Sequence, residues 1–288
     1  MPKTQLDFVA VGPFKTGTSW IYNYLLNYQQ IALPTKVKET FFFDKKFSRG
    51  IDWYYAHFSR LESNQKIAEI APSYFHSIEA SERIYKLNPK CKIIVTLREP
   101  VSRLVSFYLH MKQRGEIKPD VSFSEAISQK KILQDTSLYY FHLSRWIKTF
   151  GADNVQVIFF ERLKKSPEDF AQDLCNKLDI RLENRSKNLS KKVNPSQTPV
   201  NHELAKVIYS SVRLLHNLGL HKIVDYGKNL GVKQLLFSKK EEKLQLSKDE
   251  FISIFNLFKR DILMLETVFK FDLSDWKEIW REQGITIN

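Results

Sequence analysis

The chain predicts an α/β fold of three layers, a central parallel sheet flanked by helices, and three observations predict it. Four short apolar runs rich in β-branched and aromatic residues, Leu6–Val11, Lys66–Ile70, Lys92–Leu97 and Val155–Phe160, are each followed by a turn or a helical pattern. Helical patterns fill the intervals, so strand and helix alternate as a parallel sheet with crossover connections requires. No internal repeat, Gly/Ser linker or low-complexity block interrupts the 288 residues, which makes 1–288 one domain.

The first run ends at Gly12 and Pro13, a small polar loop follows, and an aromatic and aliphatic helix is expected over Trp20–Tyr28. Further helices are expected over Ile78–Leu87, Pro100–Met111, Phe123–Ile132 and Leu138–Phe150. Pro167 opens another that runs to Leu178, with Glu168 and Asp169 in the early turn where the helix dipole favours acids. Arg181–Asn201, with Arg185, Lys187, Lys191 and Lys192 among Asn, Ser and Pro, reads as a loop with a positive face, and the remainder as mainly helical.

A composition of 43% hydrophobic and 27% charged residues is that of a globular protein. The net charge of +13 implies a surface that meets an anion: nucleic acid, membrane, polyanionic sugar or a multiply charged cofactor. Cys91 and Cys175 are too few for a disulfide framework and read as buried, reduced thiols, which implies a cytoplasmic protein. The start, MPKTQLDFVAVG, shows no long apolar stretch, so neither a signal peptide nor a membrane anchor is expected.

Two segments carry chemistry. In GPFKTGTSW, Gly12–Trp20, a strand gives way to a small-residue loop and a helix, so backbone N–H groups converge where the helix dipole is positive, a geometry that binds phosphate. Lys15 precedes Gly17, whereas a nucleoside-triphosphatase loop sets its lysine directly after the last glycine. In KIIVTLREPVSRLVSFYLH, Lys92–His110, Arg98 ends a strand where open α/β sheets bind ligands, and Pro100 opens a helix. A guanidinium there can grip a phosphate by two parallel hydrogen bonds. Helical spacing is expected to put Ser102, Arg103 and Ser106 on one polar stripe, opposite Val101, Leu104, Val105 and Tyr108.

The order Lys-Thr-Gly-Thr-Ser-Trp at Lys15, Thr16, Gly17, Thr18, Ser19 and Trp20 resembles the 5′-phosphosulfate loop of the sulfotransferases that use 3′-phosphoadenosine 5′-phosphosulfate (PAPS). R-x-P-x-x-R-x-x-S-x-Y resembles the same family's 3′-phosphate signature, in which the positions of Arg98 and Ser106 contact that phosphate. PTKVKETFFFD, Pro34–Asp44, resembles the K-E-x-x-F-F motif of the carbohydrate type, including heparan sulfate enzymes and bacterial relatives. Ala68–Phe75, Ser137–Pro167 and Phe269–Trp276 resemble further family segments, so the likeness is nearly end to end.

The resemblance implies the P-loop-like sulfotransferase fold, PAPS as co-substrate and no metal. It implies Glu39 as the base that takes the acceptor's proton, with His57, His76 and His110 as rivals because other groups of the family use histidine. Lys15 is implied to neutralise charge on the leaving phosphate. Lys191, Lys192 and Asn194 are the candidates for a late basic loop that closes over the nucleotide. Ile70 stands where heparan sulfate enzymes often carry a substrate-facing lysine, and the cysteine pair of their Golgi members is missing. Both departures favour a soluble bacterial or cyanobacterial relative, monomeric or homodimeric, acting on a saccharide, a lipid headgroup or a small molecule of secondary metabolism, at a hydroxyl or an amine-type nitrogen. Two other readings stand beside it: a P-loop nucleotide kinase, and a non-catalytic binder of anions or nucleic acid.

Overall fold

Five parallel strands form the middle layer: β1 (Leu6–Ala10), β2 (Ile31–Ala32), β3 (Lys66–Ile70), β4 (Lys92–Leu97) and β5 (Val155–Phe159), in the spatial order β2-β3-β1-β4-β5. The computed structural model describes residues 5–26, 28–58, 61–62, 64–182, 197–199, 201–217, 220, 223–224, 226–227, 237–241 and 243–287. Lys191, Lys192 and Asn194 lie outside them.

Alternation along the strands feeds two cores. Leu6, Val9 and Val11 point to one face of the sheet and Phe8 and Ala10 to the other. The register shifts between Leu6 and Phe8, and there the Asp7 carboxylate accepts the Ile67 N–H at 2.7 Å, replacing a ladder bond. Helices α1 (Thr18–Leu25) and α9 (Pro167–Leu178) cover the second face. The first face is covered by α3 (Ile78–Leu87), α4 (Pro100–Gln113), α7 (Tyr139–Phe150), α11 (Lys248–Phe269) and α12 (Ser274–Glu282). Short helices α2 (Ile51–Tyr55), α5 (Phe123–Gln129), α6 (Lys131–Asp135) and α8 (Phe160–Lys165) complete the frame, with α10 (His202–Asn217) after the late loop. Cys91 and Cys175 are buried thiols in separate cores, joined in no disulfide among the described residues. No helix among the described residues is long and apolar enough to cross a membrane.

The three-layer architecture is as the sequence predicts, and the departures are local. The pattern expected as one helix over Phe123–Ile132 breaks at Lys130, whose backbone leaves the helical region and separates α5 from α6. An antiparallel ribbon pairs β6 (Gln197–Pro199), inside the stretch expected as a loop, with β7 (Phe237–Glu241), inside the stretch expected to be mainly helical. The aromatic run after Glu39 is neither strand nor simple turn: Phe42–Lys46 forms one turn of π-helix, entered through Phe41 at a left-handed φ of 55°.

Sheet order sets the end of β1 beside the middle of β4, where Val11 N–H donates to Ile94 O at 2.8 Å, and the loop after β1 then runs along the last residues of β4. Gly12 takes the chain across β4 at a separation that admits no side chain: a Cβ there would stand 2.1 Å from Thr96 Oγ1 and 2.5 Å from its carbonyl oxygen. Gly12→Ala is therefore expected to lift the loop off β4 and to lower stability by about 1–3 kcal/mol, the usual cost of overpacking. The urea midpoint of the purified variant measures this; an unchanged midpoint contradicts it.

Candidate active site

The loop between β1 and α1 turns on two left-handed residues, Lys15 (φ 74°) and Gly17 (φ 92°), with Thr16 between them. Such an alternation aims successive N–H groups at one point, the concavity that holds an anion. Lysine adopts this φ at a cost, which marks the position as functionally constrained. Gly17 is also crowded, because a Cβ there would stand 3.0 Å from the Phe160 ring.

Thr16 holds the loop's shape. Buried, it donates to Pro13 O at 2.7 Å and lies 2.7 Å from Thr96 Oγ1. Its hydroxyl is thus turned into the protein, and only its backbone faces the concavity the sequence assigns to it. Trp20 departs further from expectation. It is 7% exposed, stacked on Tyr24 at 4.8 Å and edge-on to Phe170 at 5.3 Å, so it belongs to the core under the loop. An indole one turn into α1 points at the α9 layer, not at the loop's mouth.

Arg98 arrives at the same place from β4. Its Nη1 donates to the Lys15 carbonyl at 3.3 Å, its guanidinium lies 4.9 Å from the centre of the Phe160 ring, and its buried Nε makes no hydrogen bond. Lys38 reaches in from the chain after β2. Its Nζ donates to Ser19 Oγ on the loop and to Glu39 Oε1, each at 3.2 Å. Three cations therefore crowd one spot. The Lys15 ammonium falls from 10.5 to about 8, first through burial and then through the charges of Arg98 and Lys38. Three like charges with one carboxylate, Glu39, among them leave a net positive concavity suited to an anion.

Glu39 borders this cluster, its Oε1 paired with Lys38 while its buried Oε2 has no hydrogen-bond partner. Among the rival histidines, His57 lies against Trp53, with Nδ1 2.9 Å from the Trp53 carbonyl. His76 is packed between Phe14 and His142 and is depressed to about 4 by burial. His110 alone shares the field of Lys15 and Lys38, and burial with those charges lowers it to about 3, so it is a neutral ring near pH 7. Thr18 is buried and Ser106 half-buried on α4.

The expected polar stripe on α4 does not form, because Arg103 turns inward. It is fully buried, donates to Thr136 and Ser137 in the turn between α6 and α7, and sits 5.7 Å from the Phe107 ring one turn on. Ser102 and Ser106, four residues apart, share the other side. Glu99, beside Arg98, caps α4 by accepting from Val101 N and Ser102 N at 3.1 and 2.6 Å.

Two residues stand in motifs of the sequence without a role assigned to them there. Lys38, read there only through its motif, bridges the loop to Glu39. Glu69 of β3 is fully buried and accepts from Thr40 N at 2.8 Å, Thr40 Oγ1 at 2.7 Å and the Tyr74 hydroxyl at 3.1 Å. Burial pushes its carboxyl up to about 7. It fixes the residue next to Glu39. An acid inside an apolar strand was the available signal.

Comparison with known proteins agrees with this geometry. The model of the sulfotransferase domain matches residues 5–214. The human bifunctional heparan sulfate N-deacetylase/N-sulfotransferase 3 is 34% identical over 182 residues, 56% of this chain and 20% of that protein. Mouse heparan sulfate glucosamine 3-O-sulfotransferase 5 is 28% identical over 170 residues, 55% of this chain and 49% of its own length. The matches thus span about a fifth to a half of these relatives. A crystal structure of a sulfotransferase from Alicyclobacillus acidocaldarius superposes with a TM-score of 0.64 at 21% identity, over 94% of this chain and 98% of that one, and shares its fold. With a phosphate-type loop, an arginine at the adjoining strand end and a family match across most of its length, the chain belongs to the sulfotransferase domain family.

Proposed function

We propose that the protein transfers the sulfuryl group of PAPS to a hydroxyl, or an amine-type nitrogen, of a saccharide or small-molecule acceptor. The observation that carries this reading is the crowding of Lys15, Lys38 and Arg98 around one concavity, beside a buried carboxylate oxygen with no donor. The cations require a multiply charged anion, and the open Glu39 oxygen requires a proton donor. A bisphosphorylated nucleotide meets the first need and an acceptor hydroxyl the second. Heparan sulfate appears in the names of the related enzymes and supports a saccharide acceptor. Two thiols held apart in separate cores fit a reducing, cytoplasmic setting.

When bound, the nucleotide supplies an activated sulfuryl group. The residues of this chain then divide the work. Backbone N–H groups from Lys15 to Ser19 hold the 5′-phosphate, and Arg98 with Ser106 holds the 3′-phosphate. Lys15 sets its ammonium where negative charge gathers as the sulfur–oxygen bond breaks. Fixed charge of this kind needs no rearrangement during reaction and is the largest contributor in comparable transfers. Glu39 accepts the acceptor's proton on its free oxygen, while Lys38 on the other oxygen fixes the carboxylate against the loop.

Three outcomes test these roles. Calorimetric titration with 3′-phosphoadenosine 5′-phosphate is expected to show micromolar or tighter binding, weakened about 10- to 100-fold by Arg98→Ala through loss of charge-assisted hydrogen bonds; absence of binding discards the reading. Glu39→Gln is expected to keep nucleotide affinity and lose about 10²- to 10⁴-fold in turnover, the span of general-base catalysis; full turnover removes Glu39 from the role. Lys15 loses its proton near pH 8 in the free protein, and bound phosphates raise its affinity for that proton. Binding above pH 8 should therefore take up a proton, and affinity should fall as pH rises; below pH 8 the uptake vanishes. Titrations in buffers of different ionisation enthalpy measure it, and Lys15→Met should abolish it.

A further inference from the structure

Behind Arg98 lies a buried polar cluster that the reaction itself does not use. Glu99 and Glu161, 0% and 4% exposed, stand two residues past the ends of β4 and β5. Two indoles from α12 reach them across more than a hundred residues of chain: Trp276 Nε1 donates to Glu161 Oε2 at 2.8 Å, and Trp280 Nε1 to Glu99 Oε1 at 3.1 Å. Both tryptophans are 1% exposed. The remaining acceptor sites are filled by backbone. Glu161 Oε1 takes the Glu99 N–H at 3.0 Å, and Glu99 takes those of Val101 and Ser102. Every carboxylate oxygen is thus satisfied, and every donor is neutral.

Arg98 is the cation these acids would otherwise pair with. Glu161 and then Glu99 exert the strongest attraction on its guanidinium, offsetting part of the cost of its burial. Even so, among the described residues its side chain makes one hydrogen bond, to the Lys15 carbonyl, and its Nε finds no partner. A buried guanidinium beside a carboxylate ordinarily closes into a bidentate pair. An indole N–H is a donor only and carries no charge, so it can occupy a carboxylate without competing for the arginine. Lys164, the other cation acting on Glu161, lies on α8 over the Phe160 ring, its ammonium lowered by partial burial, and among the described residues it hydrogen-bonds neither acid.

We propose that α12 is a working part of the nucleotide site: Trp276 and Trp280 hold Glu161 and Glu99 away from Arg98, so that its guanidinium stays open to the nucleotide's 3′-phosphate. The two acids steady the arginine's charge from a distance, and the two indoles keep them at that distance. Trp276 and Trp280 are positioning residues; neither touches the nucleotide. Both lie beyond the 5–214 segment matched by the family model. This inference rests on Arg98 as the 3′-phosphate ligand.

Titration of the full chain with 3′-phosphoadenosine 5′-phosphate and, in parallel, with adenosine 5′-phosphate tests it. Trp276→Phe keeps an aromatic ring in the core while removing the indole N–H and part of its volume. The freed Glu161 oxygen should turn to Arg98 and weaken binding of the bisphosphate by about 10-fold or more, the usual penalty of stranding a buried acceptor. Adenosine 5′-phosphate has no 3′-phosphate, so its affinity should change less than threefold, roughly the scatter expected of a conservative core change. A general loss of structure would weaken both ligands alike. Glu161→Gln added to Trp276→Phe removes the competing charge and should restore bisphosphate affinity to within about threefold of Glu161→Gln alone. Trp280→Phe tests the Glu99 arm in the same way, should the first variant fail to fold. If Arg98→Ala binds the bisphosphate as tightly as the parent, the nucleotide reading itself fails. If Arg98→Ala weakens binding while both tryptophan variants bind normally, or if Glu161→Gln brings no rescue, the inference about α12 is overturned.

Discussion

One backbone hydrogen bond from the end of β1 to the middle of β4, Val11 N–H to Ile94 O, sets the course of the loop that carries Lys15. It seats the loop after β1 against the end of β4, and so brings Lys15 within reach of Arg98, 83 residues later. Their proximity is unfavourable in isolation. Burial and two neighbouring cations lower the Lys15 ammonium to about 8, which means the fold is holding charge together against repulsion. Proteins keep such arrangements where a ligand later supplies the missing charge. The close passage of Gly12 over Thr96 and the inward hydroxyl of Thr16 are the packing that enforces it.

Lys38 extends this constraint to the acceptor side. By donating to Ser19 and Glu39 at once, it makes the carboxylate's position depend on the phosphate loop's position. From the other side, Glu69 grips Thr40 through both its N–H and its hydroxyl. Glu39 therefore sits between two fixed anchors although its own segment has no regular structure, which is how a loop residue acquires the precision that transfer chemistry needs. Ile70, where related heparan sulfate enzymes often carry a lysine, is fully buried in the core against α1. A charge at that position would be buried among apolar side chains.

Much of this was legible in the sequence, for a local reason. The helices over Ile78–Leu87 and Pro167–Leu178 fall on their expected bounds because serine caps them and, in the second, proline opens the first turn. The strands β3 and β4 fall on theirs because apolar runs buried on both faces carry an unbroken β-branched signal. What escaped depends on partners far along the chain. Arg103 looked like part of a polar stripe because helical spacing cannot see Thr136 and Ser137. Trp20 looked like part of the phosphate loop because a motif records order and not direction. The π-turn at Phe42–Lys46 could not be told from a strand, since three consecutive phenylalanines have no period of their own. Lys38 and Glu69 were visible as residues, but their bonds were not.

A common device emerges when the strand ends are compared. Glu69 is the penultimate residue of β3, and Glu99 and Glu161 stand two residues past β4 and β5, so three of the five strands carry an acid at or just beyond the end that borders the positive pocket. Buried carboxylates so near cations would normally cancel them, and the pocket would lose its attraction for phosphate. Each acid is satisfied by uncharged donors instead: backbone N–H groups at all three, a threonine and a tyrosine hydroxyl at Glu69, and one indole each at Glu99 and Glu161. The carboxylates thereby order the loops through short, strong hydrogen bonds while their charge acts on Arg98 only at range. Apolar residues at these places would leave the loop N–H groups unpaired, and unoccupied acids would quench the cations. The acid with neutral donors satisfies both demands, and it ties the ends of the chain, Trp276 and Trp280, to the chemistry at Lys15.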